Sequence, residues 1–196
     1  MFVVSLIAAS GGLDPALVES LRNAWGGGDI HWLAVDEAAE FPLQHSPDNE
    51  EEVWRSCQDQ KIDLAICASA NRRKKLLIAD MDSTMIQQEC IDELAAEAGV
   101  GDRVAAITAR AMNGELDFEE AIDERVGLLT GLPESIIDQV VRNRITYMPG
   151  GATLLATMKA NDAYAALVSG GFTAFTSRPA ATLASDDHRA NTLDTA

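Results

Sequence analysis

The stretch Leu76-Leu77-Ile78-Ala79-Asp80-Met81-Asp82-Ser83-Thr84 decides how the rest of the chain is read. Its unbroken apolar opening fits a strand buried on both faces, as in a parallel sheet. Ligands of open α/β sheets collect beyond the carboxyl ends of such strands, and this one ends in two carboxylates, Asp80 and Asp82. Alternating spacing puts both acids on one side of the turn, where they suit a hard cation held by oxygen. A plainer use is open to the same residues, since Asp, Ser and Thr also cap helices and a helical pattern follows from Met85.

Downstream, residues 85–147 are helical in period, with breaks at Gly99-Val100-Gly101, Asn113-Gly114 and Gly131-Leu132-Pro133. The pattern predicts a bundle of short helices inserted after the strand and closed by Pro149-Gly150-Gly151. A helix over 152–160, an apolar strand over 163–168, a helix over 173–184 and a polar tail should follow. The second strand runs into Val168-Ser169-Gly170-Gly171-Phe172. Ser and Gly at a helix start present a hydroxyl and free backbone N–H groups, which suit a phosphoryl oxygen. An ordinary glycine turn would use the same residues.

Upstream, residues 2–9 read as a strand, and Asp14-Pro15 begins a helix that Gly26-Gly27-Gly28 ends. Strands over 30–35 and 39–43, an acidic-fronted helix over 49–60 and a strand over 62–68 complete a β-α-β-β-α-β order. That order suits a small ferredoxin-like α+β domain, a kind that includes ACT-like amino-acid sensors, and a dimerising role fits it equally well. The charged linker Asn71-Arg72-Arg73-Lys74-Lys75 places the boundary between domains 1–73 and 74–196.

Composition excludes several classes. The 196 residues hold 15 Lys+Arg against 31 Asp+Glu, a net charge of −16 that repels a nucleic-acid backbone. Cys57, Cys67 and Cys90 are scattered and form no CxxC, which points to reduced thiols in a cytoplasmic compartment. The opening run Phe2-Val3-Val4-Ser5-Leu6-Ile7-Ala8-Ala9 is far shorter than the ~20 apolar residues of a membrane span, so no membrane partner is expected. His31, His45 and His188 match no catalytic pattern and read as surface or packing residues.

Taken together, Asp80-Met81-Asp82-Ser83-Thr84, Glu89-Cys90-Ile91-Asp92-Glu93-Leu94, Arg125-Val126-Gly127-Leu128-Leu129 and Val168-Ser169-Gly170-Gly171-Phe172 closely resemble the phosphoserine phosphatases of the haloacid-dehalogenase superfamily. The resemblance runs collinearly from about residue 75 to 193 and includes Met112-Asn113-Gly114 and Phe118. It implies a Rossmann-like core with a helical cap at about 86–147, preceded by the ACT-like domain. The implied activity is hydrolysis of O-phospho-L-serine, the last step of serine biosynthesis. Asp80 would be the nucleophile and Asp82 the acid and base. Mg²⁺ would sit on Asp80 and the backbone carbonyl of Asp82. Ser169 and Gly170 would hold phosphoryl oxygens, Glu89 the substrate ammonium and Arg125 its carboxylate, with Met112 and Phe118 closing over the site. Outside the resemblance, Glu89 and Arg125 read as solvated helix charges.

Two parts of the family pattern have no counterpart. No Lys follows Lys159, and no Gly-Asp-Gly-x-Asn-Asp segment is present. Arg178 and Arg189 do not replace the lysine by position. Only two core parallel strands can be counted, so the core is expected to be incomplete, with the Asp80 strand at an exposed edge. The residues after Asn191-Thr192-Leu193 read like an altered stop in mid-domain, and the chain's own turnover is expected to be impaired. Two other readings fit: a non-catalytic remnant whose N-terminal half binds an amino acid or forms a homodimer, and a phosphotransferase to homoserine.

Overall fold

Asp14 starts the first helix because its carboxylate accepts the N–H of Ala16 at 2.8 Å, and Pro15 occupies a first-turn position where no N–H is needed. A computed structural model of the chain describes residues 1–193. The chain divides into two compact units, Met1–Arg73 and Lys74–Ala196, and the last three residues of the second lie outside those described.

The first unit runs β1 (Phe2–Ile7), α1 (Pro15–Ala24), β2 (His31–Ala34), β3 (Ala38–Leu43), α2 (Glu50–Asp59) and β4 (Asp63–Ala68). Its antiparallel sheet has the order β2-β3-β1-β4, the arrangement of a ferredoxin-like fold. Val4 and Leu6 of β1, Phe41 of β3 and Leu64 of β4 form one core with Val18 of α1 and Cys57 of α2. Successive strand residues point to opposite faces, so Ser5 is left on the other face, where Arg72 bonds both Ser5 and Glu40.

In the second unit β5 (Leu76–Asp80) is followed by four cap helices, α3 (Cys90–Glu97), α4 (Gly101–Met112), α5 (Phe118–Gly127) and α6 (Ser135–Asn143). The chain then returns through α7 (Gly151–Ala160), β6 (Tyr164–Phe172), α8 (Thr173–Leu183) and β7 (Asp187–Asn191). The three strands form a parallel sheet in the order β5-β6-β7. Leu167 of β6, Leu155 of α7 and Phe175 of α8 share a core with Leu94 of α3 and Val140 of α6, so cap and sheet are packed as one body. The other face of the sheet exposes Leu76, Ile78, Tyr164 and Val168.

The structure corrects three expectations. The polar tail contains a third parallel strand, β7, hidden in the sequence because an edge strand of Asp187-His188-Arg189-Ala190-Asn191 has no apolar alternation. The strand before it does not stop at Val168. β6 continues through Ser169, Gly170 and Gly171 to Phe172, so these residues bulge from a strand and α8 starts beyond them, at Thr173. Finally, no helix starts near Met85, which removes the capping explanation of Ser83 and Thr84: α3 begins at Cys90. Residue 86 instead forms a β-bridge with Tyr147, closing the cap's two ends together.

The most complete helix start in the cap is that of α5. Asp117 accepts the N–H of Glu120 at 2.8 Å, and Glu120 accepts that of Asp117 at 3.1 Å. Asp117→Ala should therefore cost about 1 kcal/mol, read as a lower urea midpoint with an unchanged m-value.

Candidate active site

Parallel register is what assembles the site. Asp80 is paired with Val168, so the residue after Val168, Ser169, emerges beside the end of β5. Asp82 then bridges the parts: its Oδ2 accepts the Ser169 hydroxyl at 3.3 Å and its Oδ1 accepts the N–H of Cys90 at 3.1 Å. Cys90 is the first residue of α3, so a carboxylate faces the positive end of that helix. Just after Asp82 the chain turns sharply. Ser83 has φ of 52°, a left-handed conformation uncommon for a non-glycine residue, and its hydroxyl donates to Glu89 Oε1 at 2.7 Å. That bond ties the first strand end to the start of the cap.

A cavity of about 230 Å³ is lined by Asp80, Asp82 and Glu89, by Gly170 and Gly171, and by Phe118, Ile122 and Arg125 of α5. Phe118, Ile122 and Arg125 lie four and then three residues apart on α5, which is the spacing of one helix face. A Cβ on Gly170 would stand 3.4 Å from Phe118 Cζ, so the ring lies directly against the glycine. A Cβ on Gly171 would stand 3.2 Å from Ser169 Oγ and 3.4 Å from Asp82 Oδ2, leaving little room for any side chain there. A larger cavity of about 370 Å³, lined by residues such as Leu129, Leu132 and Ile137, is mainly apolar and holds none of these acids.

The sequence-derived residues are thus placed unequally. Asp80, Asp82, Glu89, Phe118, Arg125 and Gly170 share the cavity, and Ser169 joins through Asp82. Met112, expected in the apolar cover, is 84% exposed at the end of α4 and does not line it. Ile122 lines the cavity as well, a residue the sequence reading does not single out although it shares one face of α5 with Phe118 and Arg125. Lys159 is engaged elsewhere: its Nζ bonds Ala184 O at 2.6 Å and Asp186 Oδ1 at 2.8 Å, next to Ala165 near the start of β6. His188 is a packing residue, its Nδ1 2.8 Å from the hydroxyl of buried Thr176.

A model of the haloacid dehalogenase-like hydrolase family matches residues 77–195. The chain belongs to the haloacid dehalogenase-like hydrolases. Among relatives of this chain, a probable phosphoserine phosphatase of Schizosaccharomyces pombe is 51% identical over 105 residues, 54% of this chain and 35% of that protein. The chain spans about a third of the length of the curated relatives it matches first. A solved haloacid-dehalogenase-family hydrolase, t0658 of Salmonella enterica serovar Typhi, superposes with a TM-score of 0.82 at 28% identity, over 99% of this chain and 69% of its own. A phosphoserine phosphatase solved as a phospho-aspartyl intermediate analogue superposes at 0.58 with 38% identity, over 64% of this chain and 59% of its own.

Two titrations are displaced around the cavity. Burial, and then Asp82, push the Cys90 thiol far up, so it stays neutral beside the acids. Burial also raises Asp92, against the opposing pull of the Arg125 cation. A carboxyl raised in the native state adds stability that is present in acid and lost as pH rises through its native pKa. Arg125→Ala should raise the Asp92 titration further, measured by carboxyl ¹³C shifts, and should widen the pH range over which acid stabilises the fold.

Proposed function

We propose that this site hydrolyses O-phospho-L-serine through a phosphorylated Asp80. The observation that carries the reading is the convergence of Asp80, Asp82, Glu89, Arg125 and the Ser169-Gly170-Gly171 bulge on one small cavity. The relatives named above, phosphoserine phosphatases among them, support it.

In the proposed reaction an Asp80 oxygen bonds to phosphorus as the bond to the serine oxygen breaks, and Asp82 gives that oxygen its proton. Water then attacks phosphorus, Asp82 takes a proton from it, and the Asp80 carboxylate is released. The Ser169–Asp82 bond, at 3.3 Å, is the weakest in the cluster and the one to yield. Turning the Ser169 hydroxyl to a phosphoryl oxygen frees Oδ2 of Asp82, while Oδ1 stays held by Cys90 N–H. Arg125 offers a planar fork to the substrate carboxylate and Glu89 a counter-charge to its ammonium. Ile122 and the ring of Phe118, itself 62% exposed, border the cleft.

Among the described residues no cluster of three or more His, Cys, Asp or Glu side chains could hold a metal by itself. Mg²⁺ does not need one, since it keeps several waters and takes one or two carboxylates plus substrate phosphate, which fits Asp80 and the backbone carbonyl of Asp82. When bound there, it supplies positive charge between nucleophile and phosphate. We assign the chain to the cytoplasm, in keeping with its free cysteines; no helix among the described residues is long and apolar enough to cross a membrane. For the first unit the ferredoxin-like sheet order supports an ACT-like role in amino-acid binding or in forming a homodimer.

With Arg125 the one cation lining the cavity among the described residues, turnover should be about a hundredfold or more below that of the longer relatives. The test is phosphate release from O-phospho-L-serine with Mg²⁺ in long incubations. Slow release abolished by Asp80→Asn, with binding of O-phospho-L-serine weakened by Arg125→Ala and binding of O-phosphoethanolamine unaffected, is expected. Release that survives Asp80→Asn would overturn the assignment of the nucleophile.

A further inference from the structure

The phosphoryl-holding bulge carries two adjacent glycines and has few side chains of its own to fix it. β6 and β7 are in register at Val168 and Arg189 and again at Phe172 and Asn191. Ser169, Gly170 and Gly171 therefore lie opposite Ala190 alone, and the excess chain is pushed out of the ladder. A Gly-Gly pair explores more backbone conformations than any other, so the orientation of its peptide groups must be imposed from outside.

Asn191 supplies that constraint. Its Nδ2 donates to Gly170 O at 2.8 Å. A planar trans peptide holds its C=O and N–H on opposite sides, and no bond here is cis. Fixing Gly170 O toward Asn191 thus turns the N–H of Gly171 the other way. That N–H meets Ser169 Oγ at 2.9 Å, on the side of Asp82 and the cavity. A carbonyl accepts only donors, so an acid of the same shape at position 191 would repel what the amide holds.

We propose that Asn191 is a positioning residue that sets the Gly170–Gly171 peptide and so aims the Gly171 N–H, which holds Ser169 Oγ in place in the phosphoryl-binding loop. The inference rests on the reading of this loop as a phosphoryl cradle. Asn191 is exposed at the end of an edge strand, so its replacement spares the core.

The test uses the full chain, with inorganic phosphate as the probe and Mg²⁺ present, in wild type, Asn191→Asp and Asn191→Ala. Loss of the constraint should weaken phosphate binding about tenfold in both variants, with melting temperature little changed. In the unliganded protein the Gly171 amide resonance should move and its hydrogen exchange should quicken. A merely structural role would instead lower the melting temperature and leave the Gly171 amide and phosphate affinity as they were, which overturns the inference. A wild-type chain that binds no phosphate would refute the cradle itself and the inference with it. A wild type that binds while both variants bind as tightly would refute only the role of Asn191.

Discussion

One carboxylate, Asp82, links the two strand ends of the site to the head of the cap. Its two oxygens reach Ser169 on the second strand and Cys90 at the head of the cap, while its backbone continues directly from the strand that bears Asp80. A half-buried carboxylate such as Asp82 is favoured when its oxygens are bonded. Here the partners come from elements separated by most of the domain's sequence, so cap and sheet must be assembled before Asp82 is satisfied. The shared core of Leu94, Val140, Leu167 and Phe175 is what makes that assembly favourable. Chemistry and folding thus constrain the same few residues.

How much of this could be read in advance depends on how each segment signals itself. The Leu76–Asp80 strand was legible because a continuous apolar run followed by acids has few other uses, and α1 because Asp14 and Pro15 act locally. β7 was not, since its stability comes from pairing with β6 and from Thr176 beneath His188, neither of which leaves an apolar pattern. The bulge at Ser169 looked like a helix turn because glycines mark both, and only the register against β7 tells them apart. Of the cap residues, Phe118 and Arg125 were placed through resemblance and do line the cavity, whereas Met112, placed by the same route, stays in solvent.

Electrostatic magnitudes show why so many donors are gathered on one anion. The cavity lining holds Asp80, Asp82 and Glu89 against Arg125, in a chain whose net charge is already −16. A pair of like unit charges about 4 Å apart near a protein surface repel by roughly 4 kcal/mol. A hydrogen bond contributes about 1 kcal/mol net, or somewhat more to a charged group. One backbone N–H from the glycine loop therefore cannot offset even one of the acids, and its value lies in direction, not strength. In the proposed reading Arg125 balances the substrate carboxylate and Glu89 its ammonium, which leaves the phosphate facing Asp80 and Asp82. A divalent cation held at those two acids would, in the same reading, cancel their two charges and so remove the repulsion. In that reading the loop and Asn191 direct the phosphoryl group, and the cation would make its approach favourable.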